Sequence, residues 1–304
     1  MPDLRRAPVW RVPAAPSSLV PPPLIVTAHG SKDPRAAATV GELISAVRAR
    51  VPRVDVRAAF LDHCAPSLPQ VLASVAPDGP TGTSGPCDCV VLPLLLTAAY
   101  HSKADIPAQL AAAAAAHPGL DAVSAAPLGP HPLLLSALER RLREAGLSVD
   151  DAGTRAATGV VLAAAGSSDP DANATIAELA ARWARERGWR AVLPAFAAAA
   201  GPRPAEAVHA LRDAGAARVV VATYLLAPGY FADKIRNAAL GAGADLVSGV
   251  LGAAPEVAEV VLVRYLAAAA DPAGPGVFKD GAFEEEAFKE MTAEERPASA
   301  RVRA

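Results

Sequence analysis

Cysteine is almost missing from this 304-residue chain, which contains only Cys64, Cys87 and Cys89. Three thiols, two of them one residue apart, form no disulfide framework, which fits a reducing compartment. Cys87-x-Cys89 is by itself a weak metal signal. Charge imbalance is missing too: Lys plus Arg number 29 against 31 Asp plus Glu, a formal charge of -2. No basic excess marks nucleic acid as a partner. Long apolar runs are also lacking. None approaches the roughly 20 residues of a membrane span, and "AQLAAAAAAHPGL" is only mildly apolar. The opening "MPDLRRAPVWRVPAAPSSLVPPP" has no apolar segment long enough for a signal-peptide core, and its prolines oppose a helix. These absences predict a cytoplasmic protein with no membrane partner. Residues 1–21 read as a disordered leader and residues 271–304 as a flexible acidic tail. Apolar sequence, by contrast, makes up 52% of the chain, enough to bury the cores of about two domains.

The two domains are one unit written twice. "LIVTAHGSKDPRA" in the first half matches "VVLAAAGSSDPDA" in the second, with Gly30 and Gly166 separated by 136 positions (166 − 30). Pro66 and Pro202 repeat that interval, which sets Phe60 opposite Phe196. Further on, "VVLPLLLTAAYHSKADIP" aligns with "VVVATYLLAPGYFADKIR" at a shorter offset, as loop deletions in the second copy would produce. In each unit short apolar runs alternate with helix-period sequence. Leu24 to Ala28 precedes "AAATVGELISAVRARV", "VDVRAAFL" precedes "APSLPQVLASV", "CVVLPLLL" precedes "ADIPAQLAAAAAA", and "DAVSAAPL" precedes "PLLLSALERRLREAG". Ser67 or a neighbour is placed to cap the second helix and Asp105 the third, with Pro107 inside its first turn. This alternation predicts an α/β fold of two similar domains, each a mainly parallel four-stranded sheet flanked by helices. The units span 22–146 and 159–268. The glycine-rich "DGPTGTSGPCDC" reads as a loop inside the first.

Ligands of open parallel sheets bind outside the carboxyl ends of the strands. His29 follows the first strand, Asp62 and His63 the second, and Tyr100 and His101 the third, so all reach one rim. Either histidine alone serves equally well as a cap or a carbonyl partner. Together, two neutral imidazoles with Asp62 nearby suit Fe, Co, Ni or Zn and leave coordination positions open. In the second copy His29 becomes Ala165, Asp62 becomes Ala198 and His101 becomes Phe231, while strands and turns persist. Charges change likewise: Lys32, Arg35 and Lys103 stand opposite Ser168, Asp171 and Asp233. Such cations hold carboxylates well, although each is also an ordinary surface charge. Gly30 and Ser31 before a helix can cradle an anion. However, the pattern lacks the Lys-Ser/Thr of a P-loop and the spacing of a dinucleotide fingerprint, so no nucleotide is expected.

"VTAHGSKDPRA", "FLDHCAPSL" and "VLPLLLTAAYHSKADIP" resemble the signature blocks of the sirohydrochlorin chelatases, and the doubled layout resembles their long two-domain form. The resemblance spans about residues 22 to 268. It implies a lyase that inserts Fe2+ or Co2+, as substrate and without ATP, into the polycarboxylate tetrapyrrole sirohydrochlorin, on the way to sirohaem or cobalamin. His29 and His101 map onto the family's two active-site histidines, and Asp62 stands at the strand end of an acidic residue near the metal. Ser31, Lys32, Arg35 and Lys103 would then meet ring carboxylates, and Tyr230 and Phe231 would form an apolar wall. The tail lacks the histidines that some cobalt-inserting relatives carry. A metal or tetrapyrrole carrier on the same scaffold would use the same histidines without turnover, and an anion-binding module would not need them. The fused pair of units is compatible with a monomer.

Overall fold

The computed structural model describes residues 21–76, 87–97 and 105–270. The tail, the leader apart from Pro21, and most of the glycine-rich loop lie outside these residues. The first half runs β1 (Leu24–Ala28), α1 (Pro34–Arg50), β2 (Val56–Phe60), α2 (Leu68–Val75), β3 (Cys89–Pro93), α3 (Ile106–Ala116), β4 (Ala122–Ser124) and α4 (Pro132–Glu144). A short α5 (Ala152–Ala157) joins it to β5 (Thr158–Ala164), α6 (Pro170–Arg187), β6 (Ala191–Phe196), α7 (Pro204–Asp213), β7 (Arg218–Thr223), α8 (Tyr230–Gly241), β8 (Leu246–Val247) and α9 (Pro255–Ala270). The sheets have orders β2-β1-β3-β4 and β6-β5-β7-β8, and every pairing is parallel. The continuous apolar runs are the inner strands, since β1, β3 and β5 are buried along their whole length.

Local chemistry starts the helices. Asp33 is extended and its carboxylate accepts the Arg35 N–H, with Pro34 in the first turn of α1. Asp169 does the same for Asp171 at the start of α6. At α2 the Ser67 N–H donates to Gln70 Oε1 at 2.9 Å. Asp105 differs from the N-cap expected of it. It directly precedes α3, but its backbone is already helical (φ −70°, ψ −45°), whereas an N-cap is extended.

The last helix of each half crosses to the other. α4 packs against β7 of the second sheet, and α9 packs against α1, β3 and β4 of the first. One hydrophobic core therefore holds residues of both halves, from Leu24, Leu92 and Leu138 to Val160, Tyr224 and Val261. Helical periodicity identifies an apolar face without saying which sheet it meets, so this crossing is not visible in the sequence. Between α4 and α9, Arg140 clasps Glu256 through Nε and Nη2 (2.7–3.0 Å). Burial pushes the Glu256 carboxyl upward, but the Arg140 hydrogen bond, a backbone N–H and nearby guanidinium charge outweigh it, and the net shift is down. A partly exposed ion pair contributes about 0–1 kcal/mol. Burial of Leu134, Leu135, Leu138 and Leu142 of α4, at roughly 1.5–3 kcal/mol each, holds the helix, and the ion pair sets its register against α9.

His131 joins this seam as the N-cap of α4, with Nδ1 accepting the Leu133 N–H at 3.2 Å. Desolvation first, and then the Arg264 charge, lowers its pKa from 6.5 to about 4. The folded value lies below the unfolded one, so the unfolded chain binds more protons across that interval. The contribution of His131 to stability is complete above about pH 6.5 and is lost as the pH falls towards about 4. His131→Asn keeps an acceptor at the cap and removes the titration. Its melting temperature is expected to vary less with pH across this window than the wild type's. Equal slopes would show that another group controls acid stability.

Candidate functional site

At the rim the two halves share their backbone atom by atom. Asp62 N–H donates to His29 C=O at 2.9 Å, and Ala198 N–H donates to Ala165 C=O at the same distance. Cys64 N–H then turns back onto Asp62 C=O, as Ala200 does onto Ala198. His63 and Ala199 between them take the left-handed conformation, with φ 61° and 59°. Gly30 (φ 92°) and Gly166 (φ 86°) sit under these turns. A Cβ on Gly30 would lie 1.8 Å from the Asp62 carbonyl oxygen, and one on Gly166 would lie 2.1 Å from that of Ala198. Glycine is thus required where the second strand's exit crosses the first.

On this shared frame the side chains differ. His29 is exposed, one residue beyond buried β1. Asp62 faces outward beside it on the exit of β2. Its Oδ1 accepts the His63 N–H at 2.7 Å, and its Oδ2 lies 3.3 Å from His63 Nε2. This Asp62–His63 pair was missed by sequence reasoning, which treated His63 only as a neighbour. The matching left-handed Ala199 shows that the turn itself does not call for a histidine. His101 and Lys103 lie outside the described residues, as does Tyr100. Among the described residues no three His, Cys, Asp or Glu side chains gather into a metal cage.

Ser31 serves the turn. Its Oγ accepts the Asp33 N–H at 3.0 Å, and Ser167 Oγ accepts the Asp169 N–H at 3.0 Å in the second half. This acceptor task, the same in both copies, belongs to the scaffold and leaves the Ser31 O–H as a donor. Lys32 is exposed on the same loop. Arg35 is also exposed, but it is engaged: Asp33 accepts from its Nε (3.1 Å) and Nη2 (2.6 Å). Asp233, from the other half, accepts from Nη2 at 2.7 Å. The Arg35 hydrogen bonds draw the Asp33 carboxyl below its usual range. The Arg35–Asp233 contact brings the start of α8 across to the β1 rim, a pairing over 198 positions that local sequence does not reveal. Tyr230 (73% exposed) and Phe231 (39% exposed) stand on the same first turn of α8, with ring centroids 5.6 Å apart.

Two shallow grooves, of about 510 and 450 Å³, lie elsewhere and share Arg141, Glu144 and Gly249 in their walls. None of His29, Asp62 or Arg35 lines either one. Cys87 and Cys89 do not act as a chelating pair. Cys87 packs into the core shared by the halves, and Cys89 into a separate cluster with Ile25 and Leu68. Burial, then neighbouring negative charge, pushes Cys87 up to about 11 and Cys89 up to about 12, so both stay protonated thiols.

A family model described as CbiX matches residues 23–145 and again 159–268. A sirohydrochlorin cobaltochelatase of Priestia megaterium is 28% identical over 215 residues, covering 70% of this chain and 67% of the relative. A sirohydrochlorin ferrochelatase of Bacillus subtilis is 24% identical over 264 residues, covering 86% and 97%. SirB from Bacillus subtilis, solved with Fe3+, superposes with a TM-score of 0.71 at 24% identity, over 85% of this chain and all of that one. DR2241 of Deinococcus radiodurans, a multi-domain protein with structural similarity to chelatases, superposes with a TM-score of 0.63 over 81% of this chain and 55% of its own. These structural likenesses are likenesses of fold. With the family's unit matched twice and across most of its length, the chain belongs to the CbiX family.

Proposed function

We propose that the chain is an ATP-independent lyase that inserts Fe2+ or Co2+ into sirohydrochlorin, the substrate for which its relatives are named. One observation carries this reading beyond kinship. The two halves keep the same turn, glycine and backbone hydrogen bonds, while His29 and Asp62 are replaced by Ala165 and Ala198. Side chains dispensable to the turn serve something other than the turn. The proposed catalytic groups are His29 and His101, with Asp62 beside the metal. Neutral imidazoles suit a borderline divalent ion and release it from an open coordination sphere. The macrocycle must lose two inner N–H protons as the metal enters, and the imidazoles, freed of metal, accept them directly or through water.

Lys32, Arg35 and Lys103 are the cations proposed to meet ring carboxylates, and Tyr230 with Phe231 the apolar wall. Imidazole must be unprotonated to bind metal, so insertion is expected to fall below about pH 6. This window overlaps that of His131, and His131→Asn separates the two: its melting temperature flattens with pH while the loss of insertion remains. Turnover distinguishes an enzyme from a carrier. With about a twentyfold excess of sirohydrochlorin and metal over protein, followed by the absorbance of the macrocycle, an enzyme converts the whole pool. A halt at one equivalent per chain would overturn the enzymatic reading.

A further inference from the structure

Asp33 and Asp233 hold Arg35 for different reasons. Asp33 is fixed in place by its work as the cap of α1, which Asp169 repeats at α6 without any arginine at the matching position. Asp233 has no such local task at the rim. It comes from the opposite half, where the alignment sets it against Lys103 of the first, so a carboxylate has entered at a position that is cationic in the other copy. The approach is well defined: Gly229, just before α8, lies against Asp33, and a Cβ there would be 3.9 Å from Asp33 Cβ. Arg35 and Asp233 are both about half exposed, within reach of a ligand. Tyr230 precedes Asp233 by three positions and so shares its helix face. The rim thereby joins an exposed aromatic surface to a guanidinium carrying a removable carboxylate. That combination fits a flat apolar ring with acidic edges.

We propose that Asp233 is a placeholder for a carboxylate of the acidic substrate: on binding, a ring carboxylate takes over the Arg35 Nη2 position that Asp233 holds, and Asp233 swings to solvent. This inference rests on the tetrapyrrole reading above and adds a residue that sets affinity. The exchange is cheap because an exposed ion pair contributes little net stability. The displaced carboxylate also remains in the first turn of α8, where the helix dipole favours negative charge. With Asp233 in place, an incoming acid meets a competitor for Arg35 Nη2. Its removal therefore strengthens binding, and only through Arg35.

The test is a fluorescence titration of metal-free sirohydrochlorin into the full chain, comparing wild type, Asp233→Asn, Arg35→Gln and the double variant. Asp233→Asn is expected to tighten Kd about threefold and Arg35→Gln to weaken it by a similar factor. In the Arg35→Gln background, Asp233→Asn is expected to change nothing, because Asp233 then blocks no guanidinium. Turnover by Asp233→Asn should show the matching split, a lower KM with kcat within about twofold. An unchanged or weaker Kd for Asp233→Asn would overturn the placeholder role. Equal tightening with and without Arg35 would overturn it too, by showing a general charge effect. In both cases wild-type binding leaves the tetrapyrrole reading standing. A wild-type chain that does not bind sirohydrochlorin would bring down both.

Discussion

His29→Ala is expected to lower the rate of metal insertion at least about 100-fold and to shift the melting temperature by no more than about 2 °C. The chain contains its own control for the second half of that statement. Ala165 occupies the equivalent position, and its carbonyl accepts the Ala198 N–H at the distance found between His29 and Asp62. Alanine is therefore compatible with this turn, and the exposed imidazole is not needed to build it. A variant that melts early and is inactive only in proportion would show that the histidine is structural. A stable variant with wild-type rates would move the chemistry away from β1.

Gly166→Ala is expected to have the opposite profile. The added Cβ would meet the Ala198 carbonyl at 2.1 Å and Phe196 Cβ at 3.0 Å, on a backbone with φ 86°. The strained φ and the clash with main chain together are expected to destabilise the fold by about 3 kcal/mol. This should appear as a lower denaturation midpoint, while the insertion rate per folded molecule stays near that of wild type. Gly30→Ala, with its Cβ 1.8 Å from Asp62 C=O, should lose both stability and activity, because that carbonyl belongs to the residue beside the proposed metal site. If the two variants lost activity equally at equal folded fraction, the second half would have a direct part in the chemistry.

Much of the scaffold was legible in the sequence. Four-residue to seven-residue apolar runs without alternation, as in "VVLAAA", mark strands buried on both faces, and these are the inner strands of two parallel sheets. Helix-period sequence after Gly-Ser marked α1 and α6, while their Asp33 and Asp169 caps, with proline next in line, became plain only in the folded chain. The exchange of α4 and α9 was not legible, since an apolar helix face carries no address. Nor was the Arg35–Asp233 contact: alignment showed the charge reversal at Lys103 and Asp233, but only the folded chain brings that reversal to Arg35. Ser31 illustrates a subtler limit. Its place in the Gly-Ser motif suggests anion binding, and its hydroxyl oxygen, like that of Ser167, also accepts an N–H of the turn, so the two copies share a task that says nothing of its O–H. A comparison between the halves separates scaffold from chemistry best where the side chains differ, as at His29 and Asp62, and says least where they agree.

The most direct measurement of the central claim is the initial rate at which the purified full-length chain metallates sirohydrochlorin with Co2+ or Fe2+ at neutral pH, read from the change in macrocycle absorbance against the same mixture without protein. A rate above the uncatalysed one for at least one of the two metals is predicted. Rates equal to the uncatalysed reaction for both would contradict the account.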